Sequence, residues 1–362
     1  MPISADIIQE INTTTLKNHL KKGTTLNQNI QNKPMWLAFD SRSKPFAGGR
    51  GMTIVRNVNA GQGGGSVQGY EGDDQVAYYN PSGSKQVEYR GRYHHIGITY
   101  TFDELKQNGI DIIEDGADQD AVRVSGREEF ALEDILRLKH EMLDEDYDRS
   151  MDALTHGDGS NDPKAFAGIQ SLILENPATG STGGLSRVLN PWWRNRAATA
   201  AYGLAGGQGA ITVTPANGGA LAAFLDTEIR QLKRWATGRT PNWKWFGGSD
   251  FIDGYKMELR ANGYTAGDLA FNDGVPDGSM KDPRHAGNVI IYDPTLDDMN
   301  LSKRCYVIAM GESDIQMYHF GQKRRQHTPT RPYDRYVVYQ GVTTDRALAA
   351  FRLRTSAVYD IA

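Results

Sequence analysis

Several clusters in this sequence carry residue types that could do chemistry. The run Ala60-Gly61-Gln62-Gly63-Gly64-Gly65-Ser66 has the composition of a phosphate cradle. Such a cradle needs a lysine, then Ser or Thr, then a helix whose N-terminal amides meet the phosphates. This run has no lysine and leads into polar sequence, so it reads as a loop tip. His156-Gly157-Asp158-Gly159-Ser160-Asn161-Asp162 offers the oxygen atoms that calcium takes. Its spacing is not that of an EF-hand and no glutamate closes it, so it reads as a helix-terminating turn. His94-His95 supplies two imidazoles, but neighbours on a strand point to opposite faces and cannot readily share an ion. No Gly-x-Ser-x-Gly elbow and no His-Glu-x-x-His helix occurs. The expectation is therefore no catalytic residue, no cofactor, no metal and no enzyme.

Two further clusters suit contacts better than catalysis. Trp192-Trp193-Arg194-Asn195 could stack on bases; we read Trp192, Trp193 and Arg194 as a structural anchor. Trp192, Trp193, Trp243 and Trp245 could also line a sugar groove in a monomeric binding protein. Lys323-Arg324-Arg325-Gln326-His327, with Arg331 and Arg335 nearby, is the densest positive stretch. It reads as a hairpin turn, an intersubunit salt-bridge loop or a weak contact to DNA phosphate. The single cysteine, Cys305, excludes an internal disulfide framework and sits in the apolar run Cys305–Met310, where it reads as a buried small side chain.

Positioning these residues requires a scaffold of unusual composition. The 362-residue chain holds 40 glycines, above the usual share of roughly 7%. Counted without glycine, 39% of it is apolar. The many glycines suggest extended parts that need a partner. Charge is nearly balanced, 40 basic against 44 acidic residues, which argues against tight sequence-reading of nucleic acid. The N-terminus is polar and lacks the apolar core of a signal peptide, and no window is apolar enough to span a bilayer, so cytoplasmic assembly without a membrane is expected.

Ala5–Lys22 reads as a short helix, followed by an extended polar arm to Gly51 with an apolar anchor at Met35-Trp36-Leu37. Met52–Val58 and Lys85–Thr101 alternate as strands. In the second, Val87, Tyr89 and Tyr93 share a face, and the phase flips after His94-His95, which predicts a bulge there. The two strands make a hairpin with a long polar tip. A lone two-stranded ribbon is marginal in water, so this arm is expected to lie on a neighbouring copy. Ser125 with Glu128 forms a capping box before a helix to about His156. Its stripe is Leu132, Ile135, Leu138, Met142, Leu143, Tyr147, Met151 and Leu154. Helices are expected over Pro215–Thr237 and Asp250–Ala261. Strands are expected at Trp243–Phe246, Val289–Tyr292, Cys305–Met310, Ile315–Phe320, Tyr336–Gly341 and Ala347–Leu353.

This order of elements, with Gly168-Ile169-Gln170-Ser171-Leu172-Ile173, Gly183-Gly184-Leu185-Ser186-Arg187 and Pro191-Trp192-Trp193-Arg194-Asn195 after the long helix, resembles the tailed-bacteriophage major capsid proteins. Leucine stands where the family usually has isoleucine after the double glycine. The resemblance implies an α+β fold of the Hong Kong ninety-seven type. It implies an N-arm at 1–44, an extended β-hairpin loop at 45–100 and a peripheral domain with the spine helix at 101–167. An axial domain at 168–300 and returning peripheral strands at 301–362 complete it. The implied function is a structural protein of the virion, assembled in the bacterial host cytoplasm. Pentamers and hexamers of the chain would form an icosahedral head around double-stranded DNA. An encapsulin-type nanocompartment shell is the alternative with the same fold. Scaffolding, portal and cement proteins are the implied partners, with weak non-specific contact to packaged DNA. Intersubunit contact is expected at Arg56, Lys85, Glu88, Arg90, Arg92, Lys323, Arg324 and Arg325. Some members of the family join a loop lysine to a neighbour's asparagine; Lys85 lies in the loop, but no motif around it carries that role.

Overall fold

The computed structural model describes residues 31–46, 52–60, 67–80, 83–101, 103, 126–203, 209–214, 219–236, 241–261, 283–326 and 337–362. The expected helix Ala5–Lys22, the glycine run 61–66, the Ser125 cap, and His327, Arg331 and Arg335 lie outside them. The described residues fall into two compact units. The larger comprises 32–93, 151–323 and 345–362, the smaller 94–150 and 324–344.

The larger unit is built on a six-stranded sheet. Its order is β7 (Arg196–Ala198), β15 (Ala357–Asp360), β11 (Arg304–Ala309), β8 (Trp243–Gly247), β10 (Asn288–Tyr292) and β9 (Arg284–His285). Every residue of β11 is buried, as expected of a central strand covered on both faces. Two helices, Ala220–Arg234 and Ser249–Ala261, lay apolar faces on this sheet. Leu221, Leu225, Ile229, Phe251 and Tyr255 pack with Trp243, Trp245, Cys305, Val307 and Tyr359. Trp243 and Trp245 are thus core residues, which removes them from any sugar groove. The helix at Ala220 starts after Gly219, which offers no side-chain cap. Glu258 of the second helix does that job, accepting from the amides of Thr214, Leu221 and Ala222 at 3.0 Å each.

The last sixty residues, expected as one returning set of strands, are shared between two sheets. β11 and β15 join the six-stranded sheet. β12 (Ile315–His319) pairs antiparallel with the end of β14 (Val337–Ala350), from Ile315 opposite Ala350 to His319 opposite Arg346. The other edge of β12 takes the two-residue strand β1 (Lys44–Pro45). β14 is one strand of 14 residues where two were expected. Val342-Thr343-Thr344 supplies the β-branched residues that carry it through the expected break.

The anchor Met35-Trp36-Leu37 also differs from expectation. Pro34–Ser41 is a helix, with Pro34 in its first turn, and Met35, Trp36 and Phe39 are buried while Leu37 is exposed. Arg346 is fully buried, 2.7 Å from Asp40 of this helix.

In the smaller unit, β4 (Arg92–Thr101) pairs with β14, and β13 (Arg325–Gln326) pairs with Val342 and Thr343. The long helix Gly126–His156 has 31 residues, about 46 Å at 1.5 Å per residue. Leu143, Tyr147 and Met151 form its buried line, whereas Met142, expected in the stripe, is 58% exposed. A four-residue step from 143 leaves 142 about 100° around the helix.

The helix end carries a buried polar cluster within the larger unit. His156 lies between two carboxylates, its Nε2 2.9 Å from Asp293 and its Nδ1 3.5 Å from Asp152. Burial opposes charge on His156, but the Asp293 hydrogen bond and both carboxylates hold its pKa above the usual value. The next residues form a turn: Asp158 accepts from the amide and hydroxyl of Ser160 at 2.8 and 2.6 Å. Those two hydrogen bonds hold the Asp158 carboxyl below its ordinary range.

Candidate assembly surface

The hairpin consists of β2 (Thr53–Asn59) and β3 (Ser84–Arg90), in register from Thr53 opposite Arg90 to Asn59 opposite Ser84. Alternation gives each strand two faces. Ile54, Val58, Val87 and Tyr89 are buried on the inner face, and Val55, Lys85, Glu88 and Arg90 are exposed. The phase flip comes at Gly91, between β3 and β4, and not at His94-His95. Residues 87, 89 and 91 are buried, then 92, 94, 96 and 98 are half-buried, and Tyr93 is left 71% exposed. The cause is local. The Gly91 amide donates to the Met52 carbonyl at 2.7 Å, and a Cβ there would stand 2.5 Å from the Phe320 ring. Only glycine admits that approach.

The inner face has a built seat. The Tyr89 hydroxyl donates to the Ala350 carbonyl at 2.8 Å, and its ring meets Phe351 edge-on. Burial pushes the Tyr89 phenol far above its usual range, with the Ala350 bond and the Arg187 charge pulling partly back. The Glu88 amide donates to the Gly183 carbonyl at 3.1 Å. Gly183 has a left-handed φ of 59°, and a Cβ there would stand 2.8 Å from the Tyr89 hydroxyl. Arg56 also faces inward. Its guanidinium lies 4.5 Å from the Phe351 ring centre and donates to the Glu312 carbonyl at 2.6 Å.

Gly183 belongs to a small β5–β6 hairpin, Ser181–Thr182 and Leu185–Ser186, that is pinned from below by Arg187. Arg187 is fully buried. It donates to Thr182 Oγ1 at 3.0 and 2.8 Å, to Asn195 Oδ1 and to the Leu172 carbonyl. No carboxylate lies within 4 Å of it among the described residues. Burial lowers its pKa to about 10, Tyr89 partly restoring it and Arg194 lowering it further. The expected anchor sits around this hub. Trp193 is buried and donates from Nε1 to the Thr182 carbonyl at 3.0 Å; Arg194 donates to the Arg187 carbonyl at 2.9 Å. Trp192 is half-buried and edge-on to Trp193. Sequence reasoning quoted Arg187 within its motif but gave it no role; a lone arginine beside a double glycine was the available signal.

Beyond the seat the hairpin tip stands free. Every residue from Val67 to Asn80 is exposed, Tyr78 at 92% and Tyr70 at 69%. The tip holds itself by few bonds, such as the Ala77 amide to the Gln68 side chain and the Glu71 amide to the Asp74 carboxylate, both 3.0 Å. Several neighbouring exposed aromatics on one loop mark an interaction surface rather than ordinary surface scatter.

The basic stretch is engaged within the chain. Lys323 donates to the Asp40 carbonyl at 2.6 Å. In the smaller unit Arg324 meets Asp148 at 2.6 Å and Asp144 at 3.2 Å, and lies 4.2 Å over the Tyr147 ring. Arg325 is exposed, and Arg92 is half-buried at the start of β4. Among the described residues no three His, Cys, Asp or Glu side chains gather as metal ligands, and no helix is long and apolar enough to cross a membrane.

No protein-family model and no curated protein matches the chain. Solved structures do. A chain of the cyanophage A-1(L) capsid asymmetric unit superposes with a TM-score of 0.61 at 14% identity, over 94% of this chain and 96% of the other. The capsid of a native GTA particle gives 0.54 at 10% identity, over 94% of both chains. The capsid of the empty GTA particle gives 0.51 at 9%, over 96% and 98%. The coverage is end to end, so the likeness is of whole chains and not of a shared sheet. The long helix, the seated hairpin and the six-stranded sheet together give this chain the α+β capsid fold of the Hong Kong ninety-seven type.

Proposed function

We propose that this chain is the major capsid protein of a tailed phage. Copies assemble into pentamers and hexamers that close an icosahedral head around double-stranded DNA. The observation that carries the reading is the hairpin: its base is locked by Tyr89, Gly183 and Gly91, while its acidic, aromatic tip touches little of its own copy. A locked base with a bare tip is built to reach another surface. Many modest contacts of this kind, repeated around a shell, sum through multivalency. In this reading the hairpin region is the extended loop, residues up to Lys44 are the arm and Gly126–His156 is the spine. The exposed hairpin residues Lys85, Glu88 and Arg90 are intersubunit contacts, joined by Arg92 and Arg325, whereas Arg56, Lys323 and Arg324 act first within their own copy. The protein has no catalytic role. Its weak contact with packaged DNA, its location in the virion and its assembly with scaffolding, portal and cement proteins belong to the same proposal.

Electron microscopy of the purified full-length chain tests it. Closed shells are the expected result. A protein that stays monomeric at high concentration, with residues 67–80 already protected from hydrogen exchange, would overturn it. Mass spectrometry of shells made in the native host separates the two shell readings: DNA and a portal for a phage head, an enzyme cargo for a nanocompartment.

A further inference from the structure

Under the distal half of the hairpin lies an open cavity of about 520 Å³. Its walls include Arg56, Trp192, Trp235, Phe351, Arg352 and Arg354, and no acidic side chain lines it. Arg354 stacks 4.1 Å over the Trp235 ring and has no carboxylate within 4 Å among the described residues. Burial first, then the nearby Arg196 charge, lowers its pKa. Trp235 is 39% exposed, with Arg234 also over its ring at 5.5 Å. A second cavity of about 260 Å³ shares Trp235 and Arg354 and adds Arg194 and Arg196.

The hairpin tip has the complementary chemistry. Between Val67 and Asn80 it carries Glu71, Asp73 and Asp74, no lysine or arginine, and three tyrosines. All of these residues are exposed, and none of them lines the cavity of its own copy. We infer that the tip of one copy docks in this cavity of a second copy, its carboxylates meeting Arg354 and its tyrosines stacking on Trp235 and Trp192. The inference rests on the shell reading and names the receptor that the shell reading leaves open. Charge complementarity of this kind fixes register between copies more than it adds raw affinity.

Crosslinking tests the docking. Chains carrying Asp73→Cys are co-assembled with differently tagged chains carrying Arg354→Cys, then treated with a short bismaleimide. The native Cys305 is fully buried, so the introduced thiols react. A mixed dimer is expected. In parallel, Arg354→Glu should raise the concentration for half-assembly about fivefold, the equivalent of one partly exposed charge pair, and Asp73→Lys in the same chain should restore it. Closed shells that yield no mixed dimer would overturn the docking and leave the shell reading standing. So would a defect that the second reversal does not relieve. A short single-stranded DNA that blocks labelling at Arg354→Cys, with no mixed dimer, would give the cavity to nucleic acid instead. A wild-type chain that never assembles would overturn the shell reading and the docking together.

Discussion

Replacing Arg187 with methionine keeps an unbranched stem and deletes the guanidinium. The deletion removes hydrogen bonds to Thr182 Oγ1, Asn195 Oδ1 and the Leu172 carbonyl. Each bond to a charged group contributes about 1.5–3 kcal/mol net. Against that, the cation is buried with no carboxylate beside it, and the fall of its pKa from 12.5 to about 10 corresponds to about 3 kcal/mol of lost preference for the charged state. Some acceptors also keep a partner: Asn195 Oδ1 retains the Leu174 amide at 3.1 Å. The net expectation is a loss of about 2–4 kcal/mol. Hydrogen exchange at the Glu88 amide reads it. That amide is bonded to Gly183, in the loop that Arg187 closes through its own amide to the Gly180 carbonyl at 3.0 Å. A loss of about 2 kcal/mol in local opening free energy accelerates exchange about thirtyfold. Arg187→Lys should be intermediate, since an ammonium lacks the planar fork that reaches three acceptors at once. If Glu88 exchanges within twofold of wild type in Arg187→Met, and the urea midpoint is unmoved, the hub is decoration and the hairpin is seated by other means.

Gly168→Ala should be more damaging than any surface change. Its Cβ would stand 2.3–2.5 Å from the backbone carbonyls of Leu154, Thr155 and Gly157, none of which can swing aside, so a loss of about 3 kcal/mol or more is expected in urea unfolding. His156→Gln should change how stability depends on pH. A histidine with a raised folded pKa binds its proton more tightly when folded. Its contribution is complete below the unfolded value of about 6.5 and is lost as pH rises through the folded pKa. Asp152, also raised, first by burial, tilts stability the same way from a lower starting pH. Urea midpoints of wild type and variant should therefore diverge most in acid and converge in alkali; parallel curves would remove His156 from the pH response. Cys305 should resist thiol reagents until the protein unfolds, since burial drives its thiol pKa far up and leaves no approach. Stoichiometric labelling of the native chain would contradict the fully covered β11.

Much of the fold was legible because long periodic segments announce themselves. The spine helix was expected to end at His156, and it does. The first hairpin strand was found within a residue, while the second, expected as one run from Lys85 to Thr101, is two strands that part at Gly91. Errors gathered where a glycine or a partner element decides. Alternation cannot see Gly91, which contributes no side chain, so the flip was assigned to the next conspicuous pair, His94-His95. The helix Pro34–Ser41 was taken as arm because eight residues show barely two turns of period. The short strands β7 and β15 carried too few residues to register, yet both pair in the main sheet.

Local chemistry in the chain was enough to set the hairpin, the long helix and the absence of any recognisable catalytic motif, because alternation, capping and motif spacing are properties of neighbouring residues. Tertiary structure alone decided which residues seat the hairpin. Tyr89, the Gly183–Arg187 segment and Ala350 are far apart in sequence, and only packing brings a buried cation, a left-handed glycine and a phenol under one strand. It also decided that Arg354 and Trp235 share a cavity without an acid, since charge balance in a site depends on which surfaces fold together and not on the chain's own tally of charge.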